Sequence, residues 1–133
     1  MFKNSKNKSS GFTLVEIMIV VAIIALLAAI AVPGFLRARK RSQATRIIND
    51  LRMISAAVDQ YAIEYSKKGD DNVAVADWTA YIKKDTALYN TGADLLGNLY
   101  GDQVVDVIPK VPQDTFAVLS DVAPAAFWSP YSP

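Results

Sequence analysis

A long, almost uninterrupted run of hydrophobic residues follows the first eleven residues of the chain. Residues 12–32 read FTLVEIMIVVAIIALLAAIAV, in which Thr13 and Glu16 are the only polar members. As an α-helix this run spans about 31 Å at 1.5 Å per residue, close to the ~30 Å hydrocarbon thickness of a bilayer. The pattern therefore predicts a membrane-spanning helix near the amino terminus.

A second helical pattern follows the first. Its apolar side chains recur at alternating spacings of three and four residues, which places them on one face of a helix. These residues are Ala44, Ile47, Leu51, Ile54, Val58, Tyr61 and Tyr65. We interpret this stripe as core rather than as a coiled-coil seam, because no other long apolar face is available to the C-terminal residues. Lys67, Lys68 and Gly69 predict a cationic last turn and a stop.

Pro33, followed by Gly34, separates the two helical patterns. A proline inside a helix removes one backbone hydrogen bond and costs about 3 kcal/mol, although kinked helices tolerate it. We therefore predict a helix kink at Pro33, or a short melted stretch within residues 29–34.

The C-terminal half predicts a small head of short elements. Asp77 is the predicted N-cap of a short helix that begins at Trp78 and keeps helical spacing as far as Tyr89. Residues 90–101 hold three glycines and two asparagines, which indicates a loop.

Further along the head, Val104, Val105, Val107 and Ile108 predict a strand that ends at Pro109. Residues 114–120 fit a helical turn or a second strand, and we favour the helix. The last ten residues carry three prolines and are expected to run extended across the surface, with their aromatic side chains anchored in the core. Those aromatics are Phe127, Trp128 and Tyr131.

Composition excludes most kinds of catalysis. The chain has 133 residues and neither histidine nor cysteine, which removes hydrolytic triads, thiolate zinc sites and disulfide scaffolds. Residues 1–68 carry 11 basic and 4 acidic side chains, whereas residues 69–133 carry 3 basic and 9 acidic ones. The halves therefore bear about +7 and −6, and we expect them to meet different surroundings.

The acidic Glu16 lies four residues into the apolar run, and an intramembrane carboxylate is a functional candidate. Its context, KSSG followed by FTLVEIMIVVAIIALLAAIAVP, resembles the type IV pilins and the pseudopilins of type II secretion. The resemblance implies cleavage after Gly11 by a prepilin peptidase and N-methylation of Phe12. It further implies that the Glu16 carboxylate pairs with the Phe12 ammonium of a neighbouring subunit during assembly, inside a helix bundle that holds almost no water.

On this interpretation the chain has four parts and an α+β fold. Residues 1–11 form the leader peptide, residues 12–36 the transmembrane and filament-core half of a long helix, and residues 37–68 its amphipathic half. Residues 69–133 form the head, with short helices and a minimal antiparallel sheet.

The resemblance implies a structural role without enzymatic activity or a cofactor. The subunit would be stored in the inner membrane with its head outside the cytoplasm, and it would polymerise with itself into a surface pilus or a periplasmic pseudopilus. Its partners would be membrane lipid, the prepilin peptidase, an assembly platform and a cytoplasmic ATPase. The alternatives are a major pseudopilin and, in another class, a single-pass membrane-anchored binding module.

Two other interpretations of the amino terminus remain open. An ordinary signal peptide has a shorter apolar core, although Ala28, Ala29 and Ala31 supply small residues for a cleavage site. Glu16 could also simply extend to the lipid headgroups at the end of the helix.

A basic cluster, Arg37, Arg39, Lys40 and Arg41, follows the apolar run. We interpret it as a collar for lipid headgroups or for the acidic head of another subunit, rather than as a nucleic-acid site, because no recognition fold accompanies it. The collar opposes the positive-inside rule, and the family resemblance decides for an external head.

The segment DLLGNLYG partly resembles the Asp-Pro-Trp-Gly-Asn-Pro-Tyr loop of major pseudopilins. The matching residues are Asp94, Gly97, Asn98 and Tyr100, whereas Leu95, Leu96 and Leu99 replace the prolines and the tryptophan. Major pseudopilins bind calcium nearby, but Asp70, Asp71 and Asp102 do not have a ligand spacing that we can recognise, and we assign no metal.

Overall fold

The long helix predicted from the apolar patterns forms as one element. The structure is a computed structural model that describes residues 10–133, so most of the predicted leader lies outside the described residues. Helix α1 spans Leu14–Glu64, with Pro33 inside it. The chain divides into two compact units, the second of which is Arg37–Pro133.

The amphipathic half of α1 supplies one wall of the core of the second unit. The stripe is buried as predicted from Ala44 to Val58, Tyr61 is half-buried, and Ala57 and Ala62 join the buried face. The prediction for Tyr65 is wrong, because α1 ends one residue earlier and leaves the Tyr65 ring 59% exposed.

The stop after α1 also differs from the prediction. Ser66, not Gly69, takes the left-handed conformation, with φ of 51°. The Lys67 N–H donates to the Ala62 carbonyl at 2.9 Å, and the Ser66 N–H donates to the Ile63 carbonyl at 3.5 Å. These are the two hydrogen bonds of a Schellman motif, so the left-handed residue that ends the helix lies three residues before the glycine.

The head contains two short strands and four short helices, which confirms the α+β class. In chain order these are β1 (Asn72–Val73), α2 (Val75–Thr79), α3 (Ala87–Thr91), β2 (Gln103–Val104), α4 (Gln113–Leu119) and α5 (Ala125–Trp128). The strands pair antiparallel, with Asn72 opposite Val104 and Val73 opposite Gln103. An isolated antiparallel bridge joins Ala93 to Leu99.

Two tryptophans fill the space between these elements and α1. Trp78 and Trp128 are fully buried. Their indole N–H groups donate to backbone carbonyls, that of Gly101 at 3.2 Å and that of Ala123 at 3.0 Å. The head thus buries its largest side chains without leaving their polar atoms unpaired.

The predicted Trp78–Tyr89 helix forms as two pieces, and Asp77 is not its cap. Helix α2 begins at Val75, whose N–H donates to Asp102 Oδ1 at 3.1 Å, so a distant carboxylate takes the capping role. The chain then turns through Asp85, with φ of 64°. Thr86 starts α3 by accepting the Tyr89 N–H at 3.2 Å.

The predicted strand is shorter than expected. It ends at Val104 because Asp106 adopts a φ of 63° and the Val107 N–H closes a turn onto the Val104 carbonyl. The helix favoured over residues 114–120 is confirmed as α4.

The predicted extended tail instead contains α5, although Trp128 anchors it as expected. Pro124 sits directly before α5, and its carbonyl accepts the Phe127 N–H at 2.8 Å, which closes the helical turn. Tyr131 is half-buried, and its carbonyl accepts the Val111 N–H at 2.9 Å.

Candidate functional site

The predicted processing site lies directly before α1 and is accessible. Gly11 is exposed, and a Cβ atom built on it would meet no neighbouring atom within 4 Å. The Phe12 side chain is 85% exposed. Cleavage after Gly11 and methylation of Phe12 remain predictions. The peptide bond between these two residues is accessible in this arrangement.

Glu16 closes a capping box with Thr13. Its Oε2 accepts the Thr13 N–H at 3.0 Å, and the Thr13 hydroxyl accepts the Glu16 N–H at 3.2 Å. The two side chains thereby satisfy two backbone donors that a helix start leaves free. Reasoning from the apolar run alone missed the role of Thr13, although the Thr-x-x-Glu spacing that precedes a hydrophobic run is its signal.

The apolar run after Glu16 is exposed along its whole length. Large hydrophobic side chains between residues 17 and 36 are 48–73% accessible. By length and composition α1 can cross a membrane, since it contains an 18-residue window with a mean hydropathy of 3.0. None of the residues in that window is buried against the rest of the protein. An exposed apolar surface of this extent requires lipid or other helices around it.

Pro33 lies within continuous helix. All of residues 29–34 are helical, so the melted stretch does not form, and the kink remains a prediction.

The basic cluster divides between the subunit's own head and solvent. Lys40 Nζ lies 3.0 Å from Asp121 Oδ2, and the hydrogen bond from Lys40 lowers the pKa of Asp121. The Arg41 guanidinium lies 6.0 Å from the centre of the Phe127 ring, a cation–π distance. Arg39 is exposed.

The DLLGNLYG segment folds around one buried carboxylate. Asp94 is 5% exposed, and its Oδ1 accepts the N–H groups of Leu96 at 2.8 Å and Asn98 at 3.0 Å. Its Oδ2 accepts the hydroxyl of the fully buried Thr115, which in turn accepts Asn98 Nδ2 at 2.8 Å. Gly97 makes the turn possible with φ of 88°, a conformation that side chains disfavour.

Tyr100 connects this segment to α1. Its hydroxyl donates to Asp50 Oδ2 at 3.4 Å. Burial, together with the nearby Asp50 and Asp94 carboxylates, raises the pKa of Tyr100. Burial likewise raises the pKa of Asp50, and the Tyr100 hydrogen bond opposes that shift. Three of the four residues that match the pseudopilin loop are therefore used to close the loop, and the fourth fixes it to the helix.

The three aspartates considered as calcium ligands have structural roles. Asp71 Oδ2 accepts the Lys68 N–H at 2.8 Å, and Asp102 holds the start of α2. Asp70 occupies a left-handed turn position with φ of 68°.

Comparison with known proteins agrees with this arrangement. The prokaryotic N-terminal methylation motif matches residues 6–32. Fimbrial protein Q of Moraxella bovis is 39% identical over 93 residues, 70% of this chain and 56% of that protein. The type IV major fimbrial protein FimA of Dichelobacter nodosus is 32% identical over 110 residues, 71% of this chain and 70% of FimA.

The type II secretion system core protein G of Pseudomonas aeruginosa is 30% identical over 129 residues, and the match covers 87% of each chain. No solved structure matches the chain at a significant level. The chain belongs to the family of type IV pilins and type II secretion pseudopilins, as its sequence motif predicts.

Proposed function

We propose that the chain is the structural subunit of a type IV pilus or a pilus-like filament and polymerises through the first half of α1. The observation that carries this proposal is the exposed apolar helix, whose first turn holds one acidic side chain. A surface of this kind is stable in lipid and in a bundle of equivalent helices, so the same segment serves storage and assembly.

Processing precedes polymerisation in this proposal. Prepilin peptidase removes residues 1–11, and Phe12 becomes a methylated amino terminus. The subunit waits in the inner membrane with its head outside the cytoplasm, and an assembly platform and a cytoplasmic ATPase drive its extraction. Removal of the leader leaves an ammonium group on Phe12. During assembly the Glu16 carboxylate of another subunit leaves its own Thr13 N–H and pairs with this ammonium group.

Mass spectrometry of the native protein tests the processing step. We expect the mature protein to start at methylated Phe12. An intact Met1 in the membrane fraction would contradict the proposal and favour a membrane-anchored binding module instead.

Two substitutions test the assembly step. Glu16→Gln keeps a residue that serves in a capping box but removes the charge, whereas Thr13→Ala removes the cap and keeps the charge. We expect Glu16→Gln to abolish filaments in a shearing assay and Thr13→Ala to reduce them only partly. Equal filament yield from Glu16→Gln and the wild type, at equal levels of mature subunit, would refute a role for the charge.

A periplasmic pseudopilus is the second candidate, because the match to core protein G extends over the head as well as α1. The closed loop around Asp94 is the local feature that favours it. A deletion strain separates the two: loss of secretion with no loss of surface filaments indicates the pseudopilus, and the opposite result indicates the pilus.

A further inference from the structure

One arginine of the basic cluster does not face its own head. Lys40 pairs with Asp121, Arg41 lies over Phe127, and Arg37 lines the same recess as Asp121. At about 100° per residue, Arg39 lies about 160° around α1 from Arg37. It is exposed, and none of the described residues forms an ion pair with it. Arg39 is therefore free to contact another molecule.

An acidic cleft lies at the other end of the amphipathic half of α1. It has a volume of about 570 Å³, and its charged walls are Asp59, Asp106 and Lys67. Their charges sum to −1, which one additional cation would neutralise. Ile63, 81% exposed, lines the same cleft. An arginine fits these walls, since its fork bonds carboxylates while its methylene groups cover an apolar side chain.

The cluster and the cleft cannot meet within one chain. Arg39 and Asp59 are 20 residues apart on one helix, a separation of about 30 Å along its axis. They also lie about 160° apart around it, on nearly opposite sides. In parallel copies of the helix, those two sides face each other, and a contact between them repeats from copy to copy without closing.

We propose that in the polymer Arg39 of one subunit enters the cleft formed by Asp59 and Asp106 of a second copy. The inference rests on the proposed function and adds the contact that sets the stagger between subunits. It requires that one pair of neighbouring subunits in the filament be displaced by about 30 Å along the helix axis.

Charge exchange tests the pairing. Arg39→Glu places an acid against the cleft, and we expect filament yield to fall at least about tenfold, because like charges at an interface cost several kcal/mol. Asp59→Lys alone should lower the yield as well, and the double exchange Arg39→Glu/Asp59→Lys should restore most of it. Lys84→Glu, at an exposed lysine in the turn between α2 and α3 rather than on either of the two sides of α1, is the matched control and should leave the yield unchanged.

Thiol crosslinking tests the stagger without removing either charge. The chain has no cysteine, so introduced thiols are the only ones. Gln43 and Ile63 have the same spacing and opposition as Arg39 and Asp59. A short bismaleimide should therefore link Gln43→Cys/Ile63→Cys filaments into a ladder of multimers. Gln43→Cys/Ala56→Cys, which shifts one thiol by two turns on the same face, should give no ladder.

The outcomes separate this inference from the proposed function. Wild-type filaments with methylated Phe12, together with full yield from Arg39→Glu, would overturn the pairing and leave the filament proposal standing. A yield that the double exchange fails to restore, or a ladder from the Ala56 control alone, would also overturn it. Absence of filaments from the processed wild-type subunit would overturn the proposed function itself.

Discussion

The carboxylate of Asp94 organises the loop between α3 and β2, and its removal should destabilise the whole second unit. Asp94→Ala leaves the Leu96 and Asn98 N–H groups and the Thr115 hydroxyl without their acceptor. Thr115 is fully buried, so water cannot replace Asp94 as the acceptor of its hydroxyl. The substitution therefore creates unsatisfied donors at a site that the fold continues to enclose.

The expected loss follows from those three hydrogen bonds. Bonds to a charged acceptor contribute about 1.5–3 kcal/mol each, and the two backbone donors are only partly buried and can recruit water. We expect a total loss of about 2–4 kcal/mol in the free energy of unfolding, which is less than the sum of the three. In urea this corresponds to a midpoint lower by about 1–2 M.

Tryptophan fluorescence of the full chain in detergent measures the effect. The two tryptophans, Trp78 and Trp128, are both buried in the second unit, so their emission reports its unfolding. Asp114→Ala removes an exposed acid from α4 and is the matched control. Equal urea midpoints for Asp94→Ala and Asp114→Ala would refute the role assigned to the buried carboxylate.

Three further substitutions test other parts of the structure by the same unfolding assay. Leu51→Ala, in the fully buried stripe, should cost about 2–5 kcal/mol by opening a cavity, and a loss below that of an exposed-site alanine would contradict its burial. Ser66→Gly should stabilise the chain by about 0.5–1 kcal/mol, since glycine adopts the observed left-handed conformation without strain, and destabilisation would contradict the Schellman ending. Burial raises the pKa of Asp50 above its ordinary 3.8, so this carboxyl contributes stability that is complete below that value and is lost as pH rises through the raised pKa. Asp50→Asn should accordingly be more stable than the wild type at neutral pH, with a difference that shrinks towards pH 4, and a difference that grows on acidification would reverse the assigned sign.

The features that were predictable from sequence are those encoded by neighbouring residues. The spacing of Ile47, Leu51 and Ile54 determines the buried face of α1 because a helix repeats every 3.6 residues. The FTLVE motif placed Glu16 at the start of the helix and identified the family. The matching loop residues marked Asp94, although not the contacts that make it important.

The features that could not be predicted depend on partners far apart in the chain. Thr115 binds Asp94 across 21 residues, and Asp102 caps α2 across 27. Local propensity placed the cap at Asp77 because nothing in that segment indicates that a carboxylate from beyond α3 reaches it. For the same reason the sequence predicted one helix where α2 and α3 form. Asp85 between them adopts a left-handed conformation, which an aspartate indicates less clearly in a sequence than a glycine does.

The capping box changes how the energetics of assembly should be understood. Glu16 already accepts the Thr13 N–H in the single chain, so polymerisation exchanges one partner for another, and the gain is a difference rather than a full Coulomb attraction. Residues 17–36 contain no polar side chain, and moving them from lipid to neighbouring helices exchanges one apolar environment for another. The transfer of the apolar run does not fix the axial stagger between neighbouring helices, and the charge pair at Glu16 is the only position-specific contact in these two steps. A second polar contact outside the apolar run therefore has to share in setting the stagger, and Arg39, three residues beyond that run, has the position and the free charge to do so.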